Sequence, residues 1–335
     1  MLLFSLAIVT GLIVLIWSAD QFVSASVVTA LKLGMTPMMI GLTVVAFGTS
    51  APELIVSATA AFDNSSHLAI GNAIGSNIAN IALVLGATAM VSAIPLKKSI
   101  LKVELPILLG ATSLATLVII DGKLTTSDGV ILLLILLISL FFLAKFQTKD
   151  GIETPELELE IPSLDKEKQL SSQKAIFYLI SSLFLLIASS KALVWGAVGI
   201  ATYLGVSELV IGLTIVAIGT SLPELAASVT SALKGHHDLA LGNVIGSNLF
   251  NLLAVMAIPT FIGQGRHLGI AISEDVLSRD YALMLALTFG LAIISYLNYM
   301  FKKESIGKFV GISFLTIYLI YLFILYQQSV VPNNG

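Results

Sequence analysis

Apolar residues run along this chain in long blocks, without the period of two that marks a half-buried strand. The blocks are bounded by polar residues, Gly or Pro and fall at about 3–31, 38–62, 67–93, 103–120, 128–146, 174–204, 209–233, 239–263, 281–300 and 306–327. About 20 helical residues cross a hydrocarbon core of ~30 Å. The pattern therefore predicts an all-α polytopic membrane protein with ten transmembrane helices. Residues 2–17 have no basic stretch before them and remain apolar past residue 25, so they read as the first span and not as a cleaved leader. Between the fifth and sixth blocks lies a stretch rich in charge, Pro and Ser, residues 147–173, and a short tail, 328–335, follows the tenth.

Composition agrees with this pattern and removes several function classes. Hydrophobic residues make up 57% of the 335 and charged residues 11%, against roughly 25% charged in a soluble domain. Whatever the protein does is thus expected to happen inside the bilayer. There are no cysteines, which excludes disulfides and thiolate metal sites. A net charge of -3 gives no hint of a nucleic-acid partner. The surroundings implied are the lipid bilayer, with no obligate protein partner and no cofactor. His67, His236, His237 and His267 all read as loop residues without ligand spacing.

The chain then repeats itself. Adding 171 to a residue number carries Gly41 to Gly212, Glu53 to Glu224, Asn72 to Asn243, Ser76 to Ser247 and Asn80 to Asn251. Residues 41–61 and 212–232 share 14 identities in 21 positions. The expected organisation is a five-helix repeat over 1–146 (signature 41–86), the linker, and a second five-helix repeat over 174–327 (signature 212–257). An odd number of spans per repeat turns the second half upside down, the inverted-repeat plan of many secondary transporters. Basic residues concentrate in cytoplasmic loops, and thirteen of them lie after odd-numbered spans: Lys32, Lys97, Lys98, Lys102, Lys145, Lys149, Lys166, Lys168, Lys174, Lys234, Lys302, Lys303 and Lys308. Only Lys123, Arg266 and Arg279 lie on the other side. This asymmetry predicts a cytoplasmic linker and extracytoplasmic termini.

Candidate chemistry sits inside the repeated segments. A carboxylate near the middle of a membrane helix costs about 2.5–3.5 kcal/mol on insertion scales, so it usually faces a cavity or an ion. Glu53 and Glu224 are two such residues at matching positions, and inversion places them either side of the midplane. Proline has no N–H, so Pro52 and Pro223 relieve the carbonyls of Gly48 and Gly219 of a helical donor. Helical spacing puts Thr49, Glu53 and Ser57 on one stripe beside Ser50, repeated as Thr220, Glu224, Ser228 and Ser221. Asn72, Ser76 and Asn80, and likewise Asn243, Ser247 and Asn251, line one face at steps of four. Carboxylates, hydroxyls, amides and carbonyls make a hard-cation site that suits calcium or sodium better than magnesium. The competing structural reading is that Ser50-x-x-Glu53 and Ser221-x-x-Glu224 are ordinary capping boxes. Asn72, Asn77, Asn243 and Asn248 fit packing or ligation equally, and Ser57 and Ser228 fit packing better. Asp20 and Lys191 occupy equivalent positions and read as interfacial charges more readily than as an ion pair with each other.

"GTSAPE" with "GNAIGSNIAN", and "GTSLPE" with "GNVIGSNLFN", resemble the two signature repeats of the sodium/calcium exchangers, of the short bacterial type. The resemblance implies a secondary antiporter, not an enzyme, that exchanges Ca2+ for Na+ with ions held between spans 2, 3, 7 and 8. It implies that Glu53 and Glu224 bridge calcium, helped by carbonyls around Thr49 and Thr220. Sodium would use Ser50, Ser76, Ser221 and Ser247 with the carbonyls of Ala46 and Ala217, and Asn80 and Asn251 would line the centre. Spans 1 and 6 would slide against the rest. Relatives often carry aspartate where this chain has Asn251, so the site here holds two carboxylates, which one calcium balances. That argues against a required potassium ion. The alternative function is a proton-coupled or other divalent-cation antiporter of the same fold, and the expected location is the cell (inner) membrane.

Overall fold

The computed structural model describes residues 1–150, 171–205, 215, 217–262, 269–303 and 305–330. Most of the linker, residues 206–214 and 216 at the start of the second signature, residues 263–268 with Arg266 and His267, and the end of the tail lie outside these. Among the described residues eight helices are long and apolar enough to cross a membrane, and a ninth span is bent in two. In chain order they are α1 (Leu2–Leu33), the bent pair α2 (Pro37–Thr49) and α3 (Ala51–Phe62), α4 (Ser66–Val91), α5 (Ile100–Ile119) and α6 (Thr126–Phe146). The second half gives α7 (Ser172–Tyr203), the short α8 (Ala217–Thr220) and α9 (Leu222–Leu233), α10 (His237–Phe261), α11 (Val276–Met300) and α12 (Lys308–Gln328).

Nine of the expected spans are matched by these helices within a few residues, apart from the start of the ninth, and the first part of the seventh, expected over 209–233, lies outside the described residues. The sequence pattern begins the ninth at 281, but α11 starts at Val276. The pattern stops at the charges Arg279 and Asp280, and the fold neutralises them against each other with an Arg279 Nε to Asp280 Oδ1 contact of 2.7 Å. Arg279 is therefore helical, not part of a loop. His67 and His237 likewise lie in the first turns of α4 and α10 and not in loops.

The repeat is visible in the backbone as well as in the motifs. Left-handed turns occur at Gly34 (φ 65) and, 171 residues on, at Gly205 (φ 79), and again at Asn64 (φ 58) and Gly235 (φ 82). Glycine and asparagine are the residues that adopt this conformation at least cost. Two tiny antiparallel sheets tie distant connections together: β1 (Ile94–Pro95) pairs with β4 (Ser305–Ile306), and β2 (Lys123–Leu124) pairs with β3 (Ile270–Ala271). The strands follow α4, α11, α5 and α10, so shifting by one five-helix repeat exchanges one sheet with the other.

The core is built around α4 and α10, whose most apolar 18-residue stretches are 72% and 83% buried, whereas those of α1 and α7 are 22% buried, and α1 buries its C-terminal half from Ser18 to Ala30 more than its N-terminal half. Small residues permit the closest approach. A Cβ on Gly41 would lie 2.8 Å from the Leu239 carbonyl oxygen, and one on Gly242 2.7 Å from that of Met38, so α2 and α10 touch backbone to backbone. The outer helices use the same device: a Cβ on Gly196 in α7 would lie 2.7 Å from the Phe4 carbonyl oxygen in α1.

Candidate functional site

The α2–α3 and α8–α9 breaks supply the centre. Ser50 and Ser221 are the joint residues, with φ, ψ of -81°, 4° and -90°, 6°. That conformation is common at turns and functional sites and ends the first segment. Pro52 and Pro223 fall in the first turns of α3 and α9, where the missing N–H costs little. The first break bends the span by 41°. The carbonyl of Gly219 accepts a hydrogen bond from Ser190 Oγ of α7 at 3.0 Å, so this outer helix reaches one of the carbonyls that a proline relieves.

Glu53 and Glu224 sit in the first turns of α3 and α9, completely or almost completely buried. The two repeats meet between them. Ser50 Oγ, from the first half, donates to Glu224 Oε1 in the second at 3.1 Å, and Thr49 Oγ1 donates to Asn243 Oδ1 at 3.1 Å. Neither Ser50 nor Ser221 makes a side-chain cap bond, so the capping-box reading does not hold. Ser50 is used across the repeat interface instead.

The asparagine faces divide into two groups. Asn72 Nδ2 donates to the Glu53 carbonyl at 3.2 Å and to Ser57 Oγ at 3.1 Å, and Asn243 Nδ2 donates to the Glu224 carbonyl at 3.4 Å and to Ser228 Oγ at 2.9 Å. These four residues brace the glutamate-bearing helices against α4 and α10. The second group consists of Asn80 and Asn251, both buried, each with neither side-chain polar atom hydrogen-bonded among the described residues. Asn77 donates to the Ala73 carbonyl at 2.9 Å, whereas both polar atoms of its equivalent Asn248 lack partners.

Both oxygens of Glu53, Oε2 of Glu224, and the hydroxyls of Ser221 and Ser247 belong to the same unpartnered set. A buried polar group without a partner costs about 1–3 kcal/mol, and a charged one more. So many in one place is the signature of a site completed by something other than protein. No group of three or more His, Cys, Asp or Glu residues gathers among the described residues, so a cation here would be held by two carboxylates and neutral oxygens. Ser76 is also buried, and Thr220 is half-buried where its equivalent Thr49 is fully enclosed. The Ala46 carbonyl already accepts the Ser50 amide at 3.0 Å and the Thr49 hydroxyl at 3.4 Å. Ala217 opens α8, directly after the undescribed stretch.

Sequence reasoning missed one local feature. π-helical turns run over Gly41–Val45, Asn80–Leu85 and Asn251–Val255, the last two starting at the equivalent asparagines. Such turns are rare and concentrate at functional sites. Asn80 and Asn251 mark where α4 and α10 widen.

Comparison with known proteins follows the same lines. A family model described as sodium/calcium exchanger protein matches residues 3–145 and 174–327. A protein of Alkalimonas amylolytica carrying the antiporter name CaxA is 42% identical over 331 residues, 98% of this chain and all of the relative. The inner membrane protein YrbG of Escherichia coli is 35% identical over 98% of each chain. Among solved structures, the sodium-calcium exchanger NCX_Mj superposes with a TM-score of 0.80 at 31% identity, covering 96% of this chain and 98% of that one.

Proposed function

Because the chain belongs to the sodium/calcium exchanger protein family, we propose that it exchanges Ca2+ for Na+ by alternating access, with Glu53 and Glu224 as the shared carboxylates. The protein is a membrane transporter and not an enzyme. The observation that carries the finer reading is the pair of buried glutamates in one polar centre, three of their four carboxylate oxygens without a hydrogen-bond donor among the described residues. Calcium takes six to eight oxygens in flexible geometry. Glu53, Glu224 and carbonyls near Thr49 and Thr220 supply that kind of set. Sodium, with half the charge, would use the hydroxyls of Ser50, Ser76, Ser221 and Ser247 with the carbonyls of Ala46 and Ala217, and Asn80 and Asn251 would close the centre as neutral oxygen donors.

Two bound carboxylates are neutralised by one Ca2+ or by sodium ions taken up in its place. The site therefore favours exchange over movement of the bare protein. Access would alternate as α1 and α7 slide together across the broken segments. The inner membrane is the proposed location, with the linker over 147–173 cytoplasmic and both termini outside.

The test is calcium uptake into proteoliposomes loaded with sodium, compared with potassium or choline loading, with an imposed pH gradient as a separate arm. Uptake should require internal sodium. Uptake that ignores sodium but follows the pH gradient would overturn sodium coupling in favour of a proton-coupled antiporter, and transport of another divalent ion in preference to calcium would reassign the substrate.

A further inference from the structure

We propose that Asp20–Lys234 and Lys191–Asp63 are two alternately closed latches, one for each side of the membrane, that fasten the outer helices α1 and α7 to the ends of the glutamate-bearing helices. The proposal rests on the alternating access argued above.

The first latch is formed in the structure. Lys234 Nζ lies 2.7 Å from Asp20 Oδ1, 2.7 Å from Ser24 Oγ and 3.0 Å from the Asp20 carbonyl oxygen, so a single ammonium grips α1 at three points. Lys234 caps the C-terminus of α9. It stands ten residues beyond Glu224, about 15 Å along one rigid helix. A shift of α1 relative to Lys234 is therefore felt at the ion site.

The repeat supplies the second. Displacement by 171 carries Asp20 to Lys191 and relates Lys234 to Asp63. The pair is the same with its charges exchanged, and inversion puts it at the other face. Asp63 caps the C-terminus of α3, ten residues beyond Glu53, as Lys234 does for α9. Among the described residues neither Asp63 nor Lys191 is in an ion pair, and both are exposed. One latch is shut while the other is open. A lysine within an apolar helix costs about 2.5–3.5 kcal/mol at the bilayer centre, and a partner available in the opposite state gives Lys191 a reason to be there.

Exchanging the charges makes the latches unequal. A helix C-terminus favours a cation and disfavours an anion, so Lys234 is well placed at the end of α9 and Asp63 poorly placed at the end of α3.

The chain has no cysteine, so paired cysteines can be introduced directly. Asp20→Cys with Lys234→Cys, and Asp63→Cys with Lys191→Cys, are treated with a short bifunctional thiol reagent in proteoliposomes. Both pairs should cross-link. Each link should lower sodium-driven calcium uptake at least ten-fold, reversibly on cleavage, with equilibrium calcium binding kept within two-fold. Separately, Asp63→Asn and Lys191→Gln should each change the exchange rate by the same factor, about two- to five-fold as for a partly exposed pair. Combined they should do no more than either alone, and the swap Asp63→Lys with Lys191→Asp should restore the rate. Absence of the 63–191 link under every ionic condition, or additive effects of the two substitutions, overturns the second latch. If the unsubstituted protein shows no sodium-driven uptake, the exchange reading fails, while the cross-linking pattern still reads the latches.

Discussion

Glu53 and Glu224 hold equivalent positions but have different neighbours. Ser50 donates to Glu224, whereas Ser221 makes no matching bond to Glu53. Both carboxylates lose water without full replacement, a cost that glutamine does not carry to the same extent. Glu53→Gln and Glu224→Gln should therefore each abolish calcium flux yet leave the calcium-free protein as stable as before or more so. Thermal unfolding in detergent checks this, since calcium should raise the midpoint of the parent and not of the variants. Asn251, buried and with neither side-chain polar atom hydrogen-bonded among the described residues, should on change to Asp alter the pH or potassium sensitivity of exchange, read in the same uptake assay. His236 lies in the turn between α9 and α10, and burial, followed by the charges of Lys234 and His237, lowers its pKa from 6.5 to about 4. The unfolded chain takes up a proton at His236 below about pH 6.5 that the folded chain refuses until about pH 4. Stability conferred by neutral His236 is complete above that window and is lost as pH falls through it. His236→Gln should flatten the unfolding midpoint across this range.

At the scale of elements, what was legible in the sequence is what chemistry had to write there. Glycine, proline and the glutamates disclosed the broken spans because each breaks a local rule of apolar helices. The bracing role of Asn72 and Asn243 was not legible, since an asparagine at that spacing fits packing or ligation equally until its partners are known. The π turns were also hidden, because an extra residue per turn depends on neighbouring helices and leaves no composition signal. Nor did periodicity show that Asp20 faces Lys234 and not Lys191. Lys234 lies outside the span, and only the packing of α1 against α9 brings it near. The glycine contacts support a prediction at this scale. A Cβ on Gly246 would lie 2.5 Å from the Leu42 carbonyl oxygen and 2.6 Å from Ala46 Cβ, and neither can move without shifting the start of the broken span. Gly246→Ala should cost about 1–3 kcal/mol, read as a lowered unfolding midpoint. Gly110→Ala, with open space around its Cβ position, should leave it nearly unchanged.

For the whole molecule, the two small sheets impose a parity condition that the helices alone do not. Pairing of β2 with β3 places the connection after α5 beside the one after α10, so an even number of crossings must separate Leu124 from Ile270. The helices α6, α7 and α10 are three. The segment that ends in α8 and α9 must then supply the fourth, which supports the tenth span expected from the repeat although its first part lies outside the described residues. The same condition puts β1 and β4 on one side and β2 and β3 on the other. The proposed sidedness rests on the basic residues: Lys97, Lys98, Lys302 and Lys303 flank the β1–β4 sheet, and Lys123 is in the other. Single cysteines at Lys98, Lys302 and Lys123 in this cysteine-free chain should respond accordingly to a membrane-impermeant thiol reagent applied to intact cells. Lys123→Cys should be labelled from outside, and Lys98→Cys and Lys302→Cys only after the membrane is opened. The reverse pattern would keep the fold and invert the orientation. Labelling of Lys98→Cys and Lys302→Cys from opposite sides would contradict the β1–β4 pairing itself.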